Sequence, residues 1–249
     1  FRDQLQDSMA MIHADPASVR DHLLLCAAHQ YAEGDVQHWW HPPLDRGVRS
    51  GCSDDYLWLA LATSHYVSVT ADLSVLAEPV GYLEGRPLNA GEESYYDLPG
   101  KSHLEESLYQ HCVRAIEHGL QRGKHGLPLM GTGDWNDGMN RVGHLGQGES
   151  VWLGFFGFDV LQRFALTAQL HGDPVFAQRC TQQAALLQSS LEAHAWDGAW
   201  YRRAWFDDGQ LLGSADNDEC RIDSIAQSWS VLSGAAPQTR RRTAMASLE

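Results

Sequence analysis

Two aspartates three residues apart, Asp134 and Asp137, bracket Trp135 and Asn136 in the run Gly131-Thr-Gly-Asp-Trp-Asn-Asp-Gly-Met-Asn140. Gly131, Gly133 and Gly138 tolerate backbone conformations closed to other residues, so the run can turn sharply and aim a carboxylate into a cavity. A carboxylic acid can protonate a leaving oxygen, and the indole of Trp135 offers a flat apolar face to a pyranose; glycoside chemistry uses both. The same run also reads as an Asx-rich turn between two helices. Spacing does not say which aspartate is the acid, since both lie on one loop.

Elsewhere the chemistry-bearing residues are more ordinary. His38 and His41 flank two tryptophans in His38-Trp-Trp-His-Pro-Pro43. As a metal pair they have no third ligand at useful spacing and run into two prolines, so no metal site is expected. Asp54 and Asp55 suit the first turn of a helix, where carboxylates are favourable. Arg202 and Arg203 read as the solvated face of a hairpin, and no phosphate is assigned to them.

The elements that position these residues are mostly helical by periodicity. Asp15-Pro16 opens a segment to about Tyr31, with Val19, Leu23, Cys26 and Ala27 on one side. Ser53 is the expected N-cap of a helix from Asp54 to about Val69. Ser102 and Glu105 form an S-x-x-E capping box expected to start a helix to about Leu120. Ser150 is expected to cap a long apolar helix to about Leu170, Asp173-Pro174 to open another to about His194, and Ile222 to Leu232 to form the last. Between Ala199 and Leu212 an alternating stretch meets Asp207-Asp-Gly209, a hairpin signal. The pattern reads as an all-α array of αα-hairpins with one small β-hairpin. Its long connections, 33–52 and 124–149, carry nearly all the unusual residues, as functional loops do.

A net charge of −14 argues against nucleic acid, because phosphate backbones demand clustered Lys and Arg. Nine tryptophans are compatible with a sugar cleft, though they also fill large helical cores. Five cysteines, an odd number without metal-ligand spacing, read as reduced thiols in the cytoplasm. No apolar run approaches a membrane span and no signal peptide is evident, so this segment is expected to make no membrane contact; a membrane-anchored parent with this part on its cytoplasmic face also fits.

The run Gly131–Gly143, G-T-G-D-W-N-D-G-M-N-R-V-G, with Glu149-Ser-Val-Trp-Leu-Gly-Phe-Phe156, resembles the catalytic core of glycoside hydrolase family 94. That family holds inverting cellobiose- and chitobiose-type phosphorylases and the phosphorylase-like C-terminal domains of cyclic β-1,2-glucan synthases, to which the wording is most similar. Four further blocks agree in the family's order: Phe1-Arg-Asp-Gln-Leu-Gln-Asp7, His38-Trp-Trp-His-Pro-Pro43, Ser53-Asp-Asp-Tyr-Leu-Trp58 and Glu219-Cys-Arg-Ile-Asp-Ser-Ile-Ala-Gln-Ser-Trp229. The resemblance implies that residues 1–249 are part of an (α/α)6 barrel catalytic domain, cut at both ends. Six helices of the barrel's twelve would leave it open, with apolar faces favouring association such as a homodimer.

It also implies reversible phosphorolysis of a β-glucan oligosaccharide, with inorganic phosphate as co-substrate and no cofactor. An acid protonates the glycosidic oxygen while phosphate attacks the anomeric carbon from the opposite face. Phosphate is itself a nucleophile, so the second carboxylate of an inverting hydrolase becomes unnecessary. The D-W-N-D match puts the acid on Asp137, its proton held by desolvation or by the like charge of Asp134. Asp134 is expected to order the loop by accepting backbone N–H bonds, and Trp135 and Asn136 to lie beside the sugar that donates its anomeric carbon. Arg2 and Asp3 match the family's Arg-Asp pair on that sugar's hydroxyls. Gln227 matches a glutamine on an inner helix facing the cleft, or makes an inter-helix hydrogen bond; Asp223 and Glu219 are weaker candidates for the same wall. Arg46 and Arg49 would shape the acceptor side or pack the barrel mouth. The family's phosphate-binding histidine is expected downstream of the Gln227-Ser-Trp229 block, beyond residue 249. An inverting hydrolase on the same barrel, or a non-catalytic glucan-binding part of a synthase, are the alternative readings.

Overall fold

The computed structural model describes residues Phe1–Glu249. It divides into two units, Phe1–Gly119 with Arg163–Ala177, and Leu120–Gln162 with Gln178–Glu249.

The first unit is organised around a helix buried on every side for most of its length. Helices α1 (Arg2–Met11), α2 (Pro16–Ala27) and α4 (Leu108–Gly119) pack around α3 (Asp55–Thr70), which is buried without a break from Asp55 through Ser64. Leu57, Leu59, Ala60 and Ala62 spread apolar side chains right round α3, the pattern of a core helix rather than an amphipathic one. Asp15 caps α2 by accepting the Ser18 N–H at 3.1 Å, with Pro16 in the first turn. α2 stops short of Tyr31 because Gln30 turns inward: its side-chain amide donates to the carbonyls of Gly34 and His111. The cap position of α3 falls on Asp54 rather than Ser53, and the Asp54 side chain faces Arg2 and Trp58 instead of the helix backbone.

Two small antiparallel sheets belong to the same unit. The connection 33–52 folds as a hairpin, β1 (Gln37–His41) and β2 (Arg46–Ser50), with Trp39 opposite Val48; β4 (Ser94–Asp97) adds to β2. β3 (Pro79–Glu84) pairs with β5 (Gly100–Ser107), Gly81 opposite Glu105. The helix expected from Ser102 is therefore corrected. Residues 100–107 alternate and complete a ladder with β3, and α4 starts only at Leu108, where Ser107 Oγ accepts the Gln110 N–H at 3.3 Å. A local capping signal lost to strand pairing.

Ser150 Oγ accepts the Leu153 N–H at 3.0 Å and so caps α5 (Val151–His171) as expected; residues 163–177, the end of α5 and the start of the next helix, belong to the first unit and the elements on either side to the second. Asp173 caps α6 (Pro174–Ser190) through the Phe176 N–H, and the helix runs on as a π turn to Ala195. α7 (Ser224–Leu232) is capped by Asp223, and α8 (Gln238–Ala246) follows. The hairpin forms as β7 (Ala204–Trp205) and β8 (Leu211–Leu212), its turn closed by Gly209 at φ +86°; β6 (Glu149–Ser150) lies on the other side of β7. Trp152 and Phe156 of α5 meet the Trp229 ring edge-on.

The chain is thus mainly helical, but three small sheets stand where the all-α reading allowed one hairpin. No helix is long and apolar enough to cross a membrane, and no cysteine is in a disulfide.

Candidate active site

The loop carrying the two aspartates is held from below. Met130, Val142 and Ala204 form a small buried cluster with Met139, Phe206 and Leu212 packed against it, so both arms of the loop rest on the β7–β8 hairpin. Asp207 closes the far arm: its carboxylate accepts the backbone N–H groups of Leu145, Gln147 and Gly148. Burial alone would raise the Asp207 pKa, but these N–H donors and the neighbouring His144 hold it below the usual carboxylate range. Glu149 does the same for the preceding turn, taking the N–H groups of His125 and Leu127 and the His125 ring.

Asp134 and Asp137 part company. Asp134 is fully buried and bound by both ends of the Arg203 guanidinium at 2.6 Å each, by the Ser150 hydroxyl at 2.6 Å and by the Asn136 N–H at 3.2 Å. The loop-ordering role expected of Asp134 is present, but its main partner is a cation. Arg203, expected on a solvated face, is 1 % exposed. The alternation at Tyr201-Arg202-Arg203-Ala204 puts its two arginines on opposite sides, and Arg203 is the one that faces in. Burial pulls the guanidinium's pKa down, but Asp134 and then Asp223 outweigh it and hold it above the ordinary arginine value.

Beyond Asp134 the chain emerges. Trp135 is 46 % exposed. The Asn136 side chain accepts the Gly138 N–H at 2.9 Å and caps a single 3₁₀ turn, Asp137–Met139, whose first residue, Asp137, is exposed. The crossing is tight: a Cβ on Gly133, at φ +151°, would sit 3.3 Å from the Asn136 carbonyl oxygen.

Gln227 is fully buried. Its Oε1 accepts the Tyr201 N–H, and its Nε2 donates to the carbonyls of Tyr201 and Asp223, so the amide fastens α7 to the segment that leads into β7. Of the two readings of this glutamine, the structural hydrogen bond is the one observed. Asp223, whose Oδ2 lies 3.2 Å from Arg203 Nε, links this joint to Asp134.

In the first unit, Arg2 is buried, with Nη1 3.0 Å from Asp54 Oδ1 and Nε 3.8 Å from Asp3 Oδ1. Asp3 itself is largely exposed. Asp54 also accepts the Trp58 indole N–H, which joins the sequence blocks at 1–7 and 53–58. His38 Nδ1 lies 2.6 Å from Asp55 Oδ2, whereas His41 sits with Trp39 and Tyr96 on the outer face of the β1–β2–β4 sheet. Arg49 is buried against Asp35 and over the Tyr31 ring, so it packs the unit; Arg46 is half-exposed beside Asp97. Arg203 and Ser150 are the site residues that sequence reasoning missed in this role, one read as surface and the other only as a cap.

The catalytic-domain model of the glycosyl hydrolase 94 superfamily matches residues 1–249. The chain is 46 % identical over 98 % of its length to the cyclic beta-(1,2)-glucan synthase NdvB of Rhizobium meliloti, of which it covers 9 %. It is 31 % identical over 96 % of its length to solabiose phosphorylase of Paenibacillus borealis, covering 29 % of that protein. To N,N'-diacetylchitobiose phosphorylase of Vibrio furnissii it is 28 % identical over 98 % of its length, covering 31 %. It thus spans less than a third of each of these relatives. Matched from its first residue to its last, with the aspartate loop anchored on its hairpin, this chain belongs to the catalytic domain of the glycosyl hydrolase 94 superfamily.

Proposed function

We propose that this chain is the acid-bearing part of an inverting β-glucan phosphorylase domain on an (α/α)6 scaffold, with Asp137 as proton donor. The observation that carries the reading is the split between the aspartates. Asp134 spends its carboxylate on Arg203 and Ser150, while Asp137 stands exposed at the start of a capped turn beside the exposed ring of Trp135. A donor must reach the glycosidic oxygen of a bound substrate, and a buried carboxylate gripped by a guanidinium cannot. Inorganic phosphate then serves as nucleophile and glucose 1-phosphate leaves, which fits a family whose relatives include named phosphorylases. The β-1,2 linkage is favoured by the similarity to a cyclic beta-(1,2)-glucan synthase. Arg2 and Asp3 bind the donor sugar in this reading, and Gln227 acts only as a joint.

The test is glucose 1-phosphate release from β-1,2-glucan by the natural protein that carries this segment. Turnover should require phosphate. Asp137→Asn should lower kcat on a natural glucoside by about 10²–10⁴-fold, the span of general acid catalysis. A dinitrophenyl β-glucoside, whose leaving group needs little protonation, should lose far less. Free glucose released without phosphate, or near-normal turnover by Asp137→Asn, would overturn the reading.

A further inference from the structure

One guanidinium joins the acid-bearing loop to two helix ends. Arg203 Nη1 and Nη2 hold the two oxygens of Asp134, its Nε lies 3.2 Å from Asp223 Oδ2, and Ser150 Oγ is 3.4 Å from Nη1. Each partner has a second commitment. The Ser150 hydroxyl donates to Asp134 Oδ2 and caps α5 at Leu153; Asp223 Oδ1 caps α7 at Ile225. The backbone of Arg203 is pinned as well: its N–H donates to the Leu212 carbonyl, and its own carbonyl accepts the Val151 N–H. Gly213 presses on it, since a Cβ there would come within 2.6 Å of the Arg203 nitrogen. Backbone pairing thus fixes where the Arg203 side chain starts, and its guanidinium ends among groups that also cap α5 and α7.

A buried ion pair is poor evidence for stability, because desolvation of two charges offsets much of their attraction. What the fork contributes is orientation: two parallel N–H···O bonds fix the plane of the carboxylate as a single point charge cannot. That orientation passes along the loop. Asp134 Oδ1 also accepts the Asn136 N–H, and the Asn136 side chain caps the turn that begins at Asp137. A run of hydrogen bonds thus leads from Arg203 through Asp134 and Asn136 to the residue read as the acid.

We infer that Arg203 is a positioning residue for proton donation: by fixing the Asp134 carboxylate against the ends of α5 and α7, it sets where Asp137 meets the glycosidic oxygen. This rests on the reading of Asp137 as the donor.

The experiment compares Arg203→Lys, Asp137→Asn and the unaltered natural protein on a natural β-glucoside and on a dinitrophenyl β-glucoside. Lysine keeps the charge and loses the fork. Arg203→Lys should lower kcat on the natural glucoside by about 100-fold, the cost of a misplacement near 1 Å, with KM within about threefold of normal. The dinitrophenyl glucoside should be nearly unaffected. A merely structural role would depress both substrates alike, and that result, or an unchanged kcat, would overturn the inference. If Arg203→Lys does not fold, the neutral pair Asp134→Asn with Arg203→Gln removes both buried charges together and should give the same leaving-group signature. Equal losses on the two substrates by that pair refute the inference as well. Should Asp137→Asn itself lack the signature, the donor assignment fails; should it show the signature while Arg203→Lys does not, only the positioning role falls.

Discussion

Glu149 offers the clearest test of how this fold holds its functional loop. Its carboxylate is 1 % exposed and receives the His125 N–H at 3.0 Å, the Leu127 N–H at 3.1 Å and the His125 ring. Glu149→Ala leaves two inward-facing N–H groups without an acceptor. Each buried unsatisfied donor costs about 1–3 kcal/mol, so the variant should lose roughly 2–6 kcal/mol. Glu149→Gln keeps an oxygen that can accept both N–H groups and forfeits only the charge assistance, for a loss of about 1 kcal/mol. Gly123 supplies a cross-check. A Cβ there would lie 2.6 Å from Glu149 Cγ, so Gly123→Ala should be costly in the unaltered protein and much better tolerated beside Glu149→Ala. The assay is unfolding of these four variants and the unaltered protein in urea, or by heat, where ~3 kcal/mol corresponds to roughly 6–12 °C in Tm. Equal losses for the alanine and glutamine variants would refute the argument, since backbone acceptance would then not be what Glu149 supplies.

Two further outcomes follow from local geometry. The His111 ring is buried, stacked on Tyr82 at 3.9 Å, with Nε2 donating to the Val80 carbonyl and Nδ1 buried without a hydrogen-bond partner. Burial first of all pushes its pKa down to about 4, from 6.5 when free. A lowered histidine stabilises fully above its unfolded pKa and stops doing so as pH falls, so roughly 3 kcal/mol should be lost between pH ~6.5 and ~4. His22, His29 and His65, also lowered by burial, act in the same direction. His111→Gln, which keeps a donor for Val80, should flatten the profile of unfolding free energy against pH; an unchanged slope would refute the assignment. Gly213 and Gly209 both have positive φ, but only Gly213 is crowded, by Arg203, whereas nothing lies near Gly209. Gly209→Ala should cost about 1 kcal/mol for the left-handed backbone alone, and Gly213→Ala clearly more, with turnover falling too. Equal costs in denaturant melts would sink the crowding argument.

Much of this protein could be read from its residues in order. The caps at Asp15, Ser150 and Asp173 and the Asp207-Asp-Gly209 turn act over two to four residues, so their partners lie in the same short window and the local chemistry suffices. The aspartate loop was visible for the same reason, its glycines and carboxylates being contiguous. Pairings across long separations were not. Residues 100–107 carry a capping signal and a weak alternation, and only the presence of β3 decides for a strand. Asp134 and Arg203 are 69 residues apart, and nothing within either stretch says that a charged side chain there is buried. A buried charge requires an opposite charge delivered by another element, which is a property of the packed molecule. Sequence alone therefore located the two aspartates. The tertiary structure told them apart, because burial and a guanidinium fork reach one of them while the other is exposed.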